Sequence, residues 1–164
     1  MTEQVIHHPI FLQSHAIAAF CAHNGEMNPA LIVQTALKMT KSCYVPVLDN
    51  HLKNHLIFTK IDNHSRYTKN KYGILEPKPK PSLQPIPAGE LDLVLVPLVG
   101  IDKVGHRLGM GAGCYDRTFE FKKRNTKPYL IGLAYTFQCI ENIPYDAHDI
   151  PLDGVATENE LILF

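Results

Sequence analysis

Leu91-Asp92-Leu93-Val94-Leu95-Val96-Pro97 is the stretch on which the fold turns. It is almost continuously apolar and is closed by a proline. A strand exposed to water on one face would alternate polar and apolar residues, so this one reads as buried on both faces, in the middle of a parallel sheet. Tyr129 to Ala134 (Tyr-Leu-Ile-Gly-Leu-Ala) repeats the pattern downstream. Upstream, the apolar run Ala16 to Cys21 ends in the turn signal His23-Asn24-Gly25 and reads as another buried strand. Cys43 to Leu48 reads as a strand whose Pro46 suits an edge or a strand end, and His55 to Ile61 as a further short strand. Asn28-Pro29 supplies a cap and a first-turn proline. Leu31, Ile32, Thr35, Ala36 and Met39 follow at helical spacing, which predicts a helix over 29–40. A second helix is expected from about Tyr115 to Arg124. Strands alternating with helices give an α/β fold, expected as a Rossmann-like three-layer sandwich around a mostly parallel sheet. The 164 residues suit one domain spanning 1–164.

Composition narrows the function. Sixteen Lys+Arg balance sixteen Asp+Glu. Such neutrality is unlike proteins held to nucleic acid by phosphate charge or to membranes by a polybasic patch. No segment approaches the ~20 apolar residues of a membrane-spanning helix. The N-terminus lacks the basic start of a secretory signal. Cys21, Cys43, Cys114 and Cys139 form no C-x-x-C pair, so neither a zinc site nor a disulfide framework is expected. The expectation is a cytoplasmic monomer with reduced thiols, free of nucleic acid and membrane. Five of the twelve prolines crowd into 77–87, which predicts an extended connector packed on its own domain.

Just past the central strand comes Gly105-His106-Arg107-Leu108-Gly109-Met110-Gly111-Ala112-Gly113-Cys114-Tyr115-Asp116-Arg117. Open α/β sheets collect ligands at the C-terminal ends of their strands. Glycines let backbone N–H groups approach a ligand, a following helix would turn its positive end toward an anion, and Arg107 supplies a fork suited to phosphate. No G-K-[ST] closes the loop and its glycine spacing is not that of a dinucleotide fold. On these residues alone, a phosphate cradle and a structural glycine turn remain equal readings. Cys114, beside a helix start, is a candidate for a lowered pKa.

Several separated segments resemble the 5-formyltetrahydrofolate cyclo-ligase (5,10-methenyltetrahydrofolate synthetase) family. They are Val94 to Asp102, Gly105 to Gly109 and Gly113 to Arg117, supported by Gly25-Glu26, Tyr44 to Leu48, Tyr72 to Pro77 and His148 to Asp153. The resemblance runs from about residue 16 to residue 158. It implies an ATP-dependent ligase of one-carbon metabolism that closes the 5-formyl group of its folate substrate onto N10, releasing ADP and phosphate. It makes Arg107 and Tyr115 the catalytic pair. It also makes Arg107, Leu108, Gly109, Met110, Gly111, Ala112, Gly113, Cys114 and Tyr115 the ATP-facing residues. The folate would meet Glu26 and the loop from Met110 through Gly111, Ala112, Gly113 and Cys114 to Tyr115. Asp116 and Asp153 would hold Mg²⁺, and the partners would be small molecules only.

Three features depart from the family pattern. Residues 1 to 37 contain no Lys or Arg, where the family carries a first basic helix. Ala112 stands where glycine or lysine is usual, and Cys114 where tyrosine is. A methyl group at 112 would obstruct a backbone position needing positive φ. The alternative reading is therefore a catalytically impaired member that binds folate or nucleotide, or serves as an interaction protein.

Overall fold

The computed structural model describes residues 1–70, 73–78, 80 and 84–164. Lys71, Tyr72, Pro79, Pro81, Ser82 and Leu83 lie outside the described residues. Part of the proline-rich connector and the Tyr72 of the Tyr72–Pro77 segment therefore fall outside the description.

The chain opens with two short helices, α1 (Thr2–Ile6) and α2 (Pro9–Gln13), which hydrophobic spacing alone does not reveal. His8 Nδ1 accepts the Ile10 N–H at 3.2 Å and Pro9 occupies the first turn of α2, an arrangement that starts a helix without a hydroxyl cap. Strand β1 (Ala16–Ala18) is shorter than the apolar run. It is followed by α3 (Ala30–Lys38) and β2 (Ser42–Leu48). In α3, Ile32 and Ala36 are fully buried, with Val33 and Leu37 packed beside them. Leu31 and Met39 are exposed, so the buried stripe is rotated by one residue from the spacing argument.

Next come β3 (Leu56–Ile61), the ribbon of β4 (Tyr67–Lys69) and β5 (Leu75–Pro77), and β6 (Pro85–Ile86). The central β7 is Leu93–Pro97. A second ribbon follows, of β8 (Gly100–Ile101) and β9 (Arg107–Leu108). The helix expected over 115–124 is broken: α4 is Cys114–Thr118, and a 3₁₀ turn covers Glu120–Lys123. Phe119 sits at the break, wholly buried against Phe58, Tyr115 and Phe121 at ring distances of 5.9, 6.2 and 6.0 Å. Seating that ring fits a change of helical path better than a continuous helix. The chain closes with β10 (Tyr129–Leu133), β11 (Gly154–Ala156) and β12 (Leu161–Leu163).

The main sheet has the order β12-β11-β10-β7-β1-β2-β3-β6. From β11 through β10, β7 and β1 to β2 it is parallel; β12, β3 and β6 join antiparallel. β1 pairs with β2 only through Tyr44. By Pro46, β2 is bonded to β3 alone, a locally edge-like place that tolerates proline. Ile17, Leu93, Leu95, Ile131 and Leu133 pack with α1 to α3 on one face. Ala18, Val94, Val96 and Leu130 pack with Phe119, Ile150 and Leu152 on the other. Both faces are covered, which gives three layers.

Candidate active site

β1 leads to β2 on one side of the sheet, whereas β7 leads to β10 on the other. The crevice above the C-terminal ends of β1 and β7 is thus the switch point, where an open parallel sheet leaves room for a ligand. Segments leaving these two strands bring Glu26 and Arg107 to it.

After β1, Asn24 (φ 48°) and Gly25 (φ 81°) both take left-handed backbone. The Glu26 N–H donates to His23 O at 3.1 Å, completing a type I′ turn. Glu26 Oε2 accepts the His23 N–H at 2.9 Å. Burial, only partly offset by that hydrogen bond, raises the Glu26 carboxyl above its ordinary pKa.

After β7, the second ribbon presents Arg107. Its Nη2 donates to Asp116 Oδ2 at 3.1 Å and Oδ1 at 3.3 Å, and its guanidinium lies 5.3 Å from the centre of the Tyr115 ring. A Cβ on Gly109 would lie 2.6 Å from Arg107 Nη1, and one on Gly113 would lie 2.7 Å from Arg117 Nη1. These two glycines therefore make room for folded-back arginines. Gly111, at φ 86°, has open space around it. Ala112 takes no left-handed φ, so its methyl group meets no backbone penalty. Its carbonyl accepts from Asn54 Nδ2 at 3.2 Å and Arg117 Nη1 at 2.8 Å. With five residues, α4 is too short to supply much dipole; the positive charge comes from Arg107 and Arg117.

Burial pushes the Tyr115 hydroxyl well above its usual range; Arg107 opposes this and the Glu26 charge adds to it. That influence places Glu26 and Tyr115 in one electrostatic neighbourhood. Cys114 is also raised, chiefly by burial, although Arg117 and Arg107 oppose it. The lowered thiol pKa for which its place beside a helix start made it a candidate does not occur.

The metal candidates separate. Asp116 faces Arg107 and accepts the Ile150 N–H at 3.2 Å. Asp153 receives Lys122 Nζ at 2.8 and 3.0 Å and the Leu130 N–H at 2.7 Å. Its carboxylate thus ties the 3₁₀ turn to β10. Among the described residues, no three His, Cys, Asp or Glu side chains converge as a metal cluster.

Sequence reasoning missed the residues that hold the site together. Asp102, with its side chain 1% exposed, accepts from the Val104, His106 and Ile143 N–H groups at 3.0, 2.9 and 3.2 Å, and lies 2.9 Å from His106 Nδ1. The His106 ring stacks on Tyr145 at 3.8 Å, and the Leu152 N–H donates to Gly105 O at 2.9 Å. Together with Ile150 on Asp116, these contacts lace segment 143–152 onto the ribbon that carries Arg107. Gly105, at φ 90°, lies where a Cβ would come 2.5 Å from Leu152 O. Gly105→Ala is expected to cost about 3 kcal/mol through backbone strain and overlap. Urea unfolding checks this; a loss below ~1 kcal/mol would mean the segment shifts freely.

Fold and crevice define the class: an α/β protein with a glycine loop and preplaced guanidinium groups at the sheet's switch point. The chain belongs to the 5-formyltetrahydrofolate cyclo-ligase family, whose model matches residues 1–158. It is 37% identical over 140 residues to the 5-formyltetrahydrofolate cyclo-ligase of Haemophilus influenzae, covering 85% of this chain and 74% of that one. The Escherichia coli protein of the same name is 32% identical over 155 residues, covering 94% and 84%. The NMR structure of Aquifex aeolicus 5,10-methenyltetrahydrofolate synthetase superposes with a TM-score of 0.81 at 30% identity, covering 99% of this chain and 78% of that one.

Proposed function

We propose that this protein cyclises 5-formyltetrahydrofolate to 5,10-methenyltetrahydrofolate, consuming ATP and releasing ADP and phosphate. The observation that carries the reading is the Arg107–Tyr115–Asp116 cluster beside the open Gly111 turn, at the switch point of a chain of this family. A formyl oxygen leaves poorly. Transfer of the γ-phosphoryl group to it, with cleavage of the bond to ADP, makes it a good leaving group. N10 then adds to the formyl carbon, loses its proton and expels phosphate. The catalytic work is positioning and charge neutralisation.

Arg107 is the donor to the transferred phosphoryl, with the loop from Leu108 to Cys114 over nucleotide and folate. Tyr115, kept neutral by burial, contacts the folate, and Glu26 accepts from the N–H donors of its ring system. Asp116 is a hard oxygen ligand and suits Mg²⁺, which binds through one or two carboxylates plus phosphate oxygens. Mg²⁺ there would neutralise charge between the carboxylate and the phosphates. At either carboxylate the ion would take the place of a cation, and Asp153 fits less well because Lys122 holds it at 2.8 and 3.0 Å, closer than the 3.1 and 3.3 Å of Arg107 on Asp116. Among the described residues no helix is long and apolar enough to cross a membrane, and all four cysteines are free. We read the chain as a cytoplasmic monomer acting on small molecules.

The test is incubation with folinate and Mg·ATP, following the methenyl product's absorbance alongside ADP release. Matched rises are expected, and ATP- and folate-replete protein without product would sink the reading. The absence of Lys and Arg from α1 and α2 favours the second reading, a binding protein. It requires calorimetric binding of folinate or ATP without turnover.

Asp116→Asn is expected to lower activity at limiting Mg²⁺ by at least ~10-fold, as loss of a metal-site group does. The melting temperature should change little, because the amide oxygen still accepts from Arg107 and Ile150. An unchanged Mg²⁺ titration would remove Asp116 from the metal.

A further inference from the structure

Between the β4–β5 ribbon and β3 lies a cleft of about 290 Å³ that the proposed chemistry does not use. Lys60, His64, Arg66, Lys78 and Lys80 line it, and among the described residues no carboxylate does. The ribbon pairs Tyr67 with Pro77, so one step outward Arg66 faces Lys78, whose N–H donates to Arg66 O at 2.7 Å. Like charges directly opposite on an antiparallel pair repel. Asp62 relieves only one cation. It bonds Lys80 Nζ at 2.8 Å, and that hydrogen bond, with one from Ser65, holds its carboxyl down at about 2. Lys60, Arg66 and Lys78 have no acidic partner among the described residues. In a chain whose total charge is zero, a cleft this one-sided raises the local concentration of anions.

We propose that this cleft is a second anion site, separate from the Arg107 crevice, for a ligand carrying two or more closely spaced oxyanions, carboxylate or phosphate. Arg66 and Lys78 share such a ligand across the ribbon, and Lys60 approaches it from β3. The ligand removes the repulsion between the opposed cations, so each strengthens the other's contribution. The same ribbon reaches the catalytic crevice. A Cβ on Gly73 would lie 3.8 Å from His23 Cε1, and the Glu76 charge raises the Cys21 thiol after burial has pushed it up. Two sources have the right chemistry: the carboxylates at the end of a folate bound in the crevice, or a free polyanion. The first rests on the proposed activity; the site itself does not.

The test uses the full chain and the double variant Arg66→Gln/Lys78→Gln, with melting curves for both. Calorimetry with inorganic pyrophosphate, and separately with citrate, should show a salt-sensitive binding event that the double variant weakens by about 10-fold or more and that Arg107→Ala retains. Equal affinity in wild type and double variant overturns the proposal, as does loss of the event in Arg107→Ala. Kinetics then separates the sources. A raised KM for folinate with unchanged kcat and unchanged KM for ATP assigns the cleft to the substrate's carboxylates. An unchanged folinate KM alongside lost pyrophosphate or citrate binding assigns it to a free anion. If the protein proves not to cyclise folinate, the binding comparison still decides whether the site exists. Should the double variant fail to fold, Lys60→Gln, which leaves the opposed pair intact, must weaken binding in the same direction.

Discussion

Replacing Arg107 with alanine is expected to lower kcat/KM for ATP by ~100-fold, the scale on which losing one preorganised donor to a developing charge acts. The guanidinium is already placed before any ligand arrives. Its side chain is only 9% exposed, held by Asp116 and lying against the Tyr115 ring, so little ordering entropy remains to be lost on binding. Removing it also takes one positive charge from between Asp116 and the phosphates and leaves Mg²⁺ at Asp116 to offset their repulsion alone. Arg107→Lys restores the charge without the planar fork and should recover only part of the loss. Folinate affinity should change by no more than a few-fold. Steady-state kinetics in each substrate, with calorimetry for folinate, checks this. Equal losses for both substrates would take Arg107 off the nucleotide side.

Asp102→Ala should cost about 4 kcal/mol of folding stability, because each buried donor left without its acceptor costs about 1–3 kcal/mol. Three backbone N–H groups and the His106 ring lose their acceptor together. For a chain of this size that corresponds to a fall in Tm of roughly 8 to 16 °C. Burial is the strongest single influence on Asp102 and pushes its pKa up, but the hydrogen bonds from Val104, His106 and Ile143 outweigh it and leave it lowered. A folded carboxyl below its unfolded value stabilises fully above the unfolded pKa, near ~4. That contribution fades as the pH falls through the lower folded value. The gap between wild type and variant should therefore narrow in acid. Urea unfolding from neutral pH downward measures it, and a neutral-pH loss below ~1 kcal/mol would show that the donors find water instead.

Legibility followed the physical range of each interaction. β7 and β10 stand out in the sequence because strands buried on both faces are continuous apolar runs. The ribbon of β4 and β5 does not, since Tyr67, Thr68 and Lys69 are all exposed and carry no hydrophobic period. The rotated stripe of α3 depends on where α1 packs, a contact the local spacing of Leu31 and Met39 cannot encode. The grouping of Arg107 with Tyr115 and Asp116 was within reach of the sequence, because the three share one segment. Asp102 was not, because one of its donors comes from Ile143, 41 residues away. The bond between Asp153 and Lys122 was equally hidden, because the two lie 31 residues apart.

The strand order has a consequence for the growing chain. β1 lies between β2 and β7, and the Ala16 N–H finds Asp92 Oδ2 across 76 residues. During synthesis β2 is in place long before β7 exists, so one edge of β1 stays unpaired while the intervening segments emerge. Closing so long a loop is slow, and an open strand edge invites pairing with other chains. A nascent chain halted before Leu91 is therefore the form most exposed to misassembly. The hazard ends only once β7 has emerged and paired, because it then shields that edge of β1.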